Sequence, residues 1–167
     1  MRKIFHFDSP AAPYVADAAV LCCFDYRIGT AVRKFLKKQG IERADMIVVA
    51  GGAKTLASPR NDFERDFILE QVHMSIRLHQ TGRVLVMSHS DCATYGGLAH
   101  FKGDQAAEAS HHRSELLRAG ELLTENFPSI SVEPYFIKFD GIWEVKGADH
   151  LKPAAPGAIS NGKREIA

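Results

Sequence analysis

Two short segments carry side chains that together suit a metal ion. Cys23-Phe24-Asp25-Tyr26-Arg27 sets a thiol, a carboxylate and a guanidinium at alternate positions. His89-Ser90-Asp91-Cys92 sets an imidazole and a second thiol three residues apart. Two thiolates and one imidazole match the tetrahedral sulfur and nitrogen preference of zinc, and three protein ligands leave a fourth position for water or substrate. The sequence therefore nominates Cys23, His89 and Cys92 as metal ligands and Zn²⁺ as the cofactor.

Asp25 and Arg27 read as the catalytic pair. Two thiolates cancel the charge of a divalent ion, so it acidifies its water less than a site of neutral imidazoles would. A carboxylate beside the ion can orient that water, and a forked, permanently charged Arg27 would hold Asp25 ionised. Asp25 can alternatively take the fourth position itself and close the site. Extended backbone through Cys23, Asp25 and Arg27 would point all three side chains one way. A helical turn would put His89 and Cys92 on one face. Cys92 is expected at a helix N-terminus, where the backbone favours the thiolate.

The elements that must bring these segments together alternate between apolar runs and helical patterns, which predicts a mostly parallel α/β sheet. Asp17 to Phe24 reads as a buried strand, Ile28 to Gln39 as a helix stopped by Gly40, and Met46 to Ala50 as a second buried strand. Asn61 or Asp62 caps a helix running to about Gln80, with Phe63, Phe67, Ile68, Val72, Ser75, Ile76 and His79 as its inward stripe and Gly82 as its stop. Arg83 to Ser88 is a third strand and Asp104 to Asn126 a helix ended by Pro128. Ser131 to Phe139 and Ile142 to Val145 are strands joined by the hairpin turn Asp140-Gly141. The metal segments then follow the first and third strands, whose ends open on one edge of a parallel sheet, where α/β folds bind ligands.

The chain has 167 residues, 46% hydrophobic and 25% charged, which suits one domain spanning 1–167, with an N-terminal segment over 1–16 and a polar C-terminal extension over 147–167. That extension is expected to lie against the body or a neighbouring subunit. Lys plus Arg is 21 and Asp plus Glu 20, so no basic excess exists to neutralise phosphates; a small-molecule partner is favoured over nucleic acid. Membrane spans need about 18 consecutive apolar residues, and no such run occurs. Met1 to Pro13 lacks the apolar run of a signal peptide, and three cysteines are too few for a disulfide framework. The expectation is a cytoplasmic protein with reduced thiols.

Paired at matching strand ends, the Cys-x-Asp-x-Arg and His-x-x-Cys motifs resemble the signature of the β-class carbonic anhydrases. The likeness runs from about Val20 to Val145. It implies a doubly wound sheet, mostly parallel with an antiparallel edge strand, built into homodimers or higher homo-oligomers. It implies reversible hydration of carbon dioxide to bicarbonate by zinc-bound hydroxide. Cys23, His89 and Cys92 would bind the ion, Asp25 and Arg27 would form the catalytic pair, and Asp91 would add a supporting hydrogen bond. The chain differs from typical members in its short N-terminal segment, in Val49-Ala50-Gly51-Gly52-Ala53-Lys54 after the second strand, and in Ala93-Thr94-Tyr95 after the second ligand cysteine. Relatives of this fold hydrolyse carbonyl sulfide or carbon disulfide with the same metal set. Those substrates, and a non-catalytic zinc-binding role, are the alternatives.

Other residues have plainer readings. Cys22 is a small core residue facing away from Cys23. Gly51-Gly52 with Lys54 either cradles an anion through backbone N–H groups or forms a tight turn. His73, His79 and the pair His111-His112 are surface or partly packed histidines before they are proton shuttles. Tyr26, Phe63 and Tyr95 pack between layers or wall an apolar pocket.

Overall fold

In a computed structural model, residues 1–147 are described. They form a five-stranded sheet with helices on both faces. The strands are β1 (Ala18–Cys22), β2 (Ala44–Val48), β3 (Arg83–His89), β4 (Ser131–Lys138) and β5 (Gly141–Glu144). The helices are α1 (Tyr26–Lys38), α2 (Lys54–Ala57), α3 (Asp62–His79), α4 (Gly97–His100) and α5 (Gln105–Asn126), with a 3-10 turn at Ala93–Tyr95. The extension over 147–167 lies outside the described residues except for its first residue.

Strand order is β2-β1-β3-β4-β5. Pairs β1–β2, β1–β3 and β3–β4 are parallel, and β4–β5 is antiparallel. The chain steps outward from β1 to β2, then crosses back to lay β3 on the other side of β1. Beyond the C-terminal ends of β1 and β3 the crossovers diverge and leave a crevice. Both metal segments leave their strands there.

Central strands are apolar on both faces because both are covered. Ala19, Leu21, Val84 and Val86 pack with Leu56 of α2, Ile68 and Val72 of α3, and Leu116, Ala119 and Leu123 of α5. Ala18, Val20, Leu85 and Met87 pack under Ile28, Val32 and Leu36 of α1. At roughly 1.5–3 kcal/mol for each large buried apolar side chain, these two layers fix the sheet rigidly beneath the crevice.

Several local expectations change. The second strand starts earlier and is an edge strand, with Met46 and Val48 45% and 46% exposed, because no described strand pairs beyond it. The buried stripe of α3 is Ile68, Val72 and Ser75, with Ile76 partly buried against the same core; Phe63 and Phe67 are exposed, with their rings stacked on each other. The stop of α3 is Gln80 itself, in left-handed conformation at φ 55°, rather than Gly82. Caps follow the sequence more closely. The Asn61 side chain accepts from the Glu64 N–H, and the Asp104 side chain accepts from those of Ala106 and Ala107.

Candidate metal centre

Cys23 follows the last residue of β1. The 50–53 loop presses down on it, and Gly52 makes that approach possible: a Cβ there would lie 2.4 Å from the Met87 carbonyl oxygen and 3.0 Å from the Cys23 nitrogen. The neighbouring Gly51 N–H donates to Cys23 Sγ at 3.4 Å. Three following N–H groups are spent on backbone carbonyls, Gly52 on Val49 O, Ala53 on Met87 O and Lys54 on Gly51 O, while Lys54 Nζ reaches Ser58 Oγ. These bonds fit a tight turn, and they leave Gly52, Ala53 and Lys54 without a backbone N–H for an anion.

His89 ends β3 and is 1% exposed. Its Nδ1 lies 2.8 Å from the Ser90 carbonyl oxygen, which can only accept, so the proton sits on Nδ1 and the lone pair on Nε2. That buried Nε2 has no hydrogen-bond partner among the described residues. Beyond it, Asp91 turns the chain in left-handed conformation at φ 52°. Cys92 then enters extended and caps the 3-10 turn, its Sγ 3.1 Å from Thr94 Oγ1. A strand end and a sharp turn, not the expected helical face, bring His89 and Cys92 together.

The two sulfurs of Cys23 and Cys92 and a ring nitrogen of His89 lie within 4.8 Å of one another, all three residues buried. A bare imidazole lone pair beside two thiols, in an apolar surround, is the chemistry of a zinc-type site. The two neighbouring thiols shift in opposite directions. The hydrogen bond to Cys92 and burial push the Cys23 thiol up to about 12, and the same hydrogen bond brings Cys92 down to about 6. Burial disfavours a charged His89, but the neighbouring Cys23 sulfur, the Ser90 carbonyl and the Asp25 charge outweigh it and raise its pKa.

Asp25 is the cap of α1, and Arg27 lies in the first turn of that helix, not on an extended run. The cap achieves what extension was expected to do. Asp25 Oδ1 accepts from the Arg27 backbone N–H at 2.9 Å. The guanidinium then folds back, with Nε 3.1 Å from both carboxylate oxygens and NH2 2.7 Å from Oδ2. This fork lowers the Asp25 pKa to about 2. Asp25 Oδ2 stands 3.9 Å from His89 Nε2.

Arg27 is itself fixed from the other side. NH1 donates to Asp91 Oδ2 and NH2 to the Asp91 carbonyl oxygen, both at 2.9 Å, and the guanidinium lies 5.0 Å over the Phe139 ring. Asp91 accepts from Leu98 N–H at 3.0 Å and donates its own N–H to Glu108 Oε1 at 2.7 Å. Sequence reasoning missed Glu108. Its signal was a carboxylate within the buried stripe of α5, where Glu108, His112 and Glu115 recur at near-helical spacing.

The remaining candidates fall apart from the crevice or into the packing. Cys22 is buried beneath α1 and no disulfide forms among the described cysteines. His79 sits on Asp45 at 2.8 Å, His73 is half-exposed, and His112 is wholly buried. Tyr26 and Phe63 are exposed at 95% and 77%, so neither packs between layers; Tyr26 borders the groove beside Cys23, and Phe63 borders another beside Asn61 and Phe67. Tyr95 is buried and donates to Glu115 at 3.1 Å. Beside Cys23 and Asp25 an apolar groove of about 400 Å³ runs past Ile28, Val32, Met46 and Val48.

The sequence model of the family described as "Putative carbonic anhydrase" matches residues 16–148. The carbonic anhydrase of Streptococcus mutans superposes with a TM-score of 0.57 at 17% identity, covering 83% of this chain and 88% of that one. The β-carbonic anhydrase isoform I of Trichomonas vaginalis superposes with a TM-score of 0.52 at 15% identity, covering 84% and 87%. An uncharacterized protein of Rickettsia conorii is 22% identical over 132 residues, 77% of this chain and 71% of its own length. At these identities the solved structures attest the fold.

Proposed function

The chain belongs to the putative carbonic anhydrase family, and from that premise we propose that it is a zinc enzyme hydrating carbon dioxide reversibly to bicarbonate. The observation that carries the reading is the joint placement of two sulfurs, a bare imidazole nitrogen and an ionised carboxylate in one crevice.

Cys23, His89 and Cys92 would hold the ion. When bound, zinc supplies the Lewis acidity that makes water a nucleophile at neutral pH. Asp25 has no proton to give near neutrality, so it acts as an acceptor that orients a water beside it. Leaving Arg27 to bind the ion directly would cost Asp25 both the fork and the cap, so the present contacts favour the open arrangement. Arg27, tied to Asp91 and stacked on Phe139, keeps the carboxylate aimed. The apolar groove past Ile28 and Val48 suits an uncharged, linear, weakly polar substrate.

The working form in this reading is a homodimer or higher homo-oligomer. Ile4, Phe5 and Phe7 are 77%, 78% and 74% exposed, and Met46 and Val48 lie bare along the unpaired side of β2.

Stopped-flow hydration of carbon dioxide by zinc-loaded protein, from about pH 7 to 9, tests the proposal. A zinc-dependent rate above buffer supports it. A rate equal to buffer overturns it, and consumption of carbonyl sulfide or carbon disulfide in its place would transfer the site to those substrates.

A further inference from the structure

Thr94 joins the two halves of the crevice. Its Oγ1 lies 3.1 Å from Cys92 Sγ on one side. On the other it abuts Gly51, where a Cβ would fall 2.7 Å from that same Oγ1 and 3.4 Å from Thr94 Cβ. Gly51, held at φ 83°, gives its N–H to Cys23 Sγ. One side chain thus touches the first sulfur directly and the second through the loop that serves it.

We propose that Thr94 is a positioning residue for the metal, donating its hydroxyl to the Cys92 thiolate and wedging the Gly51 loop against Cys23. The proposal rests on Cys23, His89 and Cys92 being the ligand set. A ligating thiolate carries no proton, so in the Thr94–Cys92 contact the hydroxyl must donate and the sulfur accept. That bond fixes the direction of the sulfur lone pairs and withdraws charge from the sulfur. Loss of such an outer hydrogen bond characteristically weakens metal binding by about 10- to 100-fold. Thr94 is exposed on its outer side, so substitution there leaves the apolar layers untouched.

The test compares Thr94→Val, which keeps the shape and removes the hydroxyl, with Thr94→Ser, which keeps the hydroxyl. Zinc affinity is read by competition with a chromophoric chelator. The sulfur-to-metal charge-transfer band is read on the cobalt(II)-substituted protein. Thr94→Val should bind zinc about tenfold more weakly, and its cobalt band should move to longer wavelength because the sulfur holds its electrons less tightly. Thr94→Ser should stay within about twofold of the parent chain. Parent-like affinity and band position in Thr94→Val overturn the proposal, as does an equal loss in both variants. Failure of the parent protein to bind zinc or cobalt would instead overturn the ligand set itself. Should Thr94→Val not fold, Thr94→Ala carries the same comparison.

Discussion

Asp25 Oδ2 and His89 Nε2 face each other at 3.9 Å across the crevice, one held by a guanidinium fork, the other buried with no partner among the described residues. Replacing Asp25 by Asn keeps the cap geometry within reach but removes the charge and half of its acceptor capacity. Asp25→Asn should retain one zinc per chain and lose at least about a hundredfold in turnover. Zinc content and stopped-flow rates measured together check this. Loss of zinc along with turnover would make Asp25 a ligand.

Arg27 acts through Asp25, so its removal should be felt in both position and charge. Arg27→Lys keeps the positive charge but cannot grip both Asp25 and Asp91. Turnover should fall about tenfold or more with zinc content unchanged. A variant as active as the parent would show that the fork is only structural.

The fold and the clustering of Cys23, His89 and Cys92 were legible because each rests on a strong local signal. The apolar run at Val20-Leu21-Cys22 is short and unbroken, as in a strand covered on both faces, and it pairs in parallel with β3, so both strands end on the same edge. Less legible was how each ligand is aimed. The turn at Asp91 needs a left-handed residue that is not glycine, and its hold by Glu108 comes from a helix far along the chain. The edge position of β2 and the exposure of Phe63 follow from what packs beside them, which periodicity alone does not encode.

His112 gives the fold an acid sensitivity of its own. The ring is fully buried, stacks on Phe136, and has neither nitrogen partnered among the described residues. Burial above all, with the nearby His111 and His89, lowers its pKa to about 4 from 6.5. Between those values the unfolded chain binds a proton that the folded chain refuses. Stability from this group is therefore complete above about pH 6.5 and falls as pH drops towards 4, by roughly 3 kcal/mol in all. His112→Phe should flatten that limb. Urea midpoints of both proteins at several pH values check it, and parallel curves would contradict it.

Gly52 is required by contact as well as by its φ of 54°. Gly52→Ala should destabilise the protein by about 2–4 kcal/mol and loosen the loop that serves Cys23. Thermal unfolding of metal-free protein reads the first effect and chelator competition the second. An unchanged Tm would show that the loop yields freely.

A chain with Ile4, Phe5 and Phe7 bare should not remain alone in solution. Light scattering should give the mass of at least two chains, and Ile4→Ser combined with Phe7→Ser should lower it. A strict monomer at working concentration would contradict the oligomeric reading.

The central claim is a single zinc ion held by Cys23, His89 and Cys92. X-ray absorption at the zinc edge, on protein purified under reducing conditions, reads that ligand set directly. The account predicts one zinc per chain with two sulfur neighbours at about 2.3 Å and nitrogen or oxygen at about 2.0 Å. Protein free of zinc, or zinc surrounded by nitrogen and oxygen alone, would contradict it.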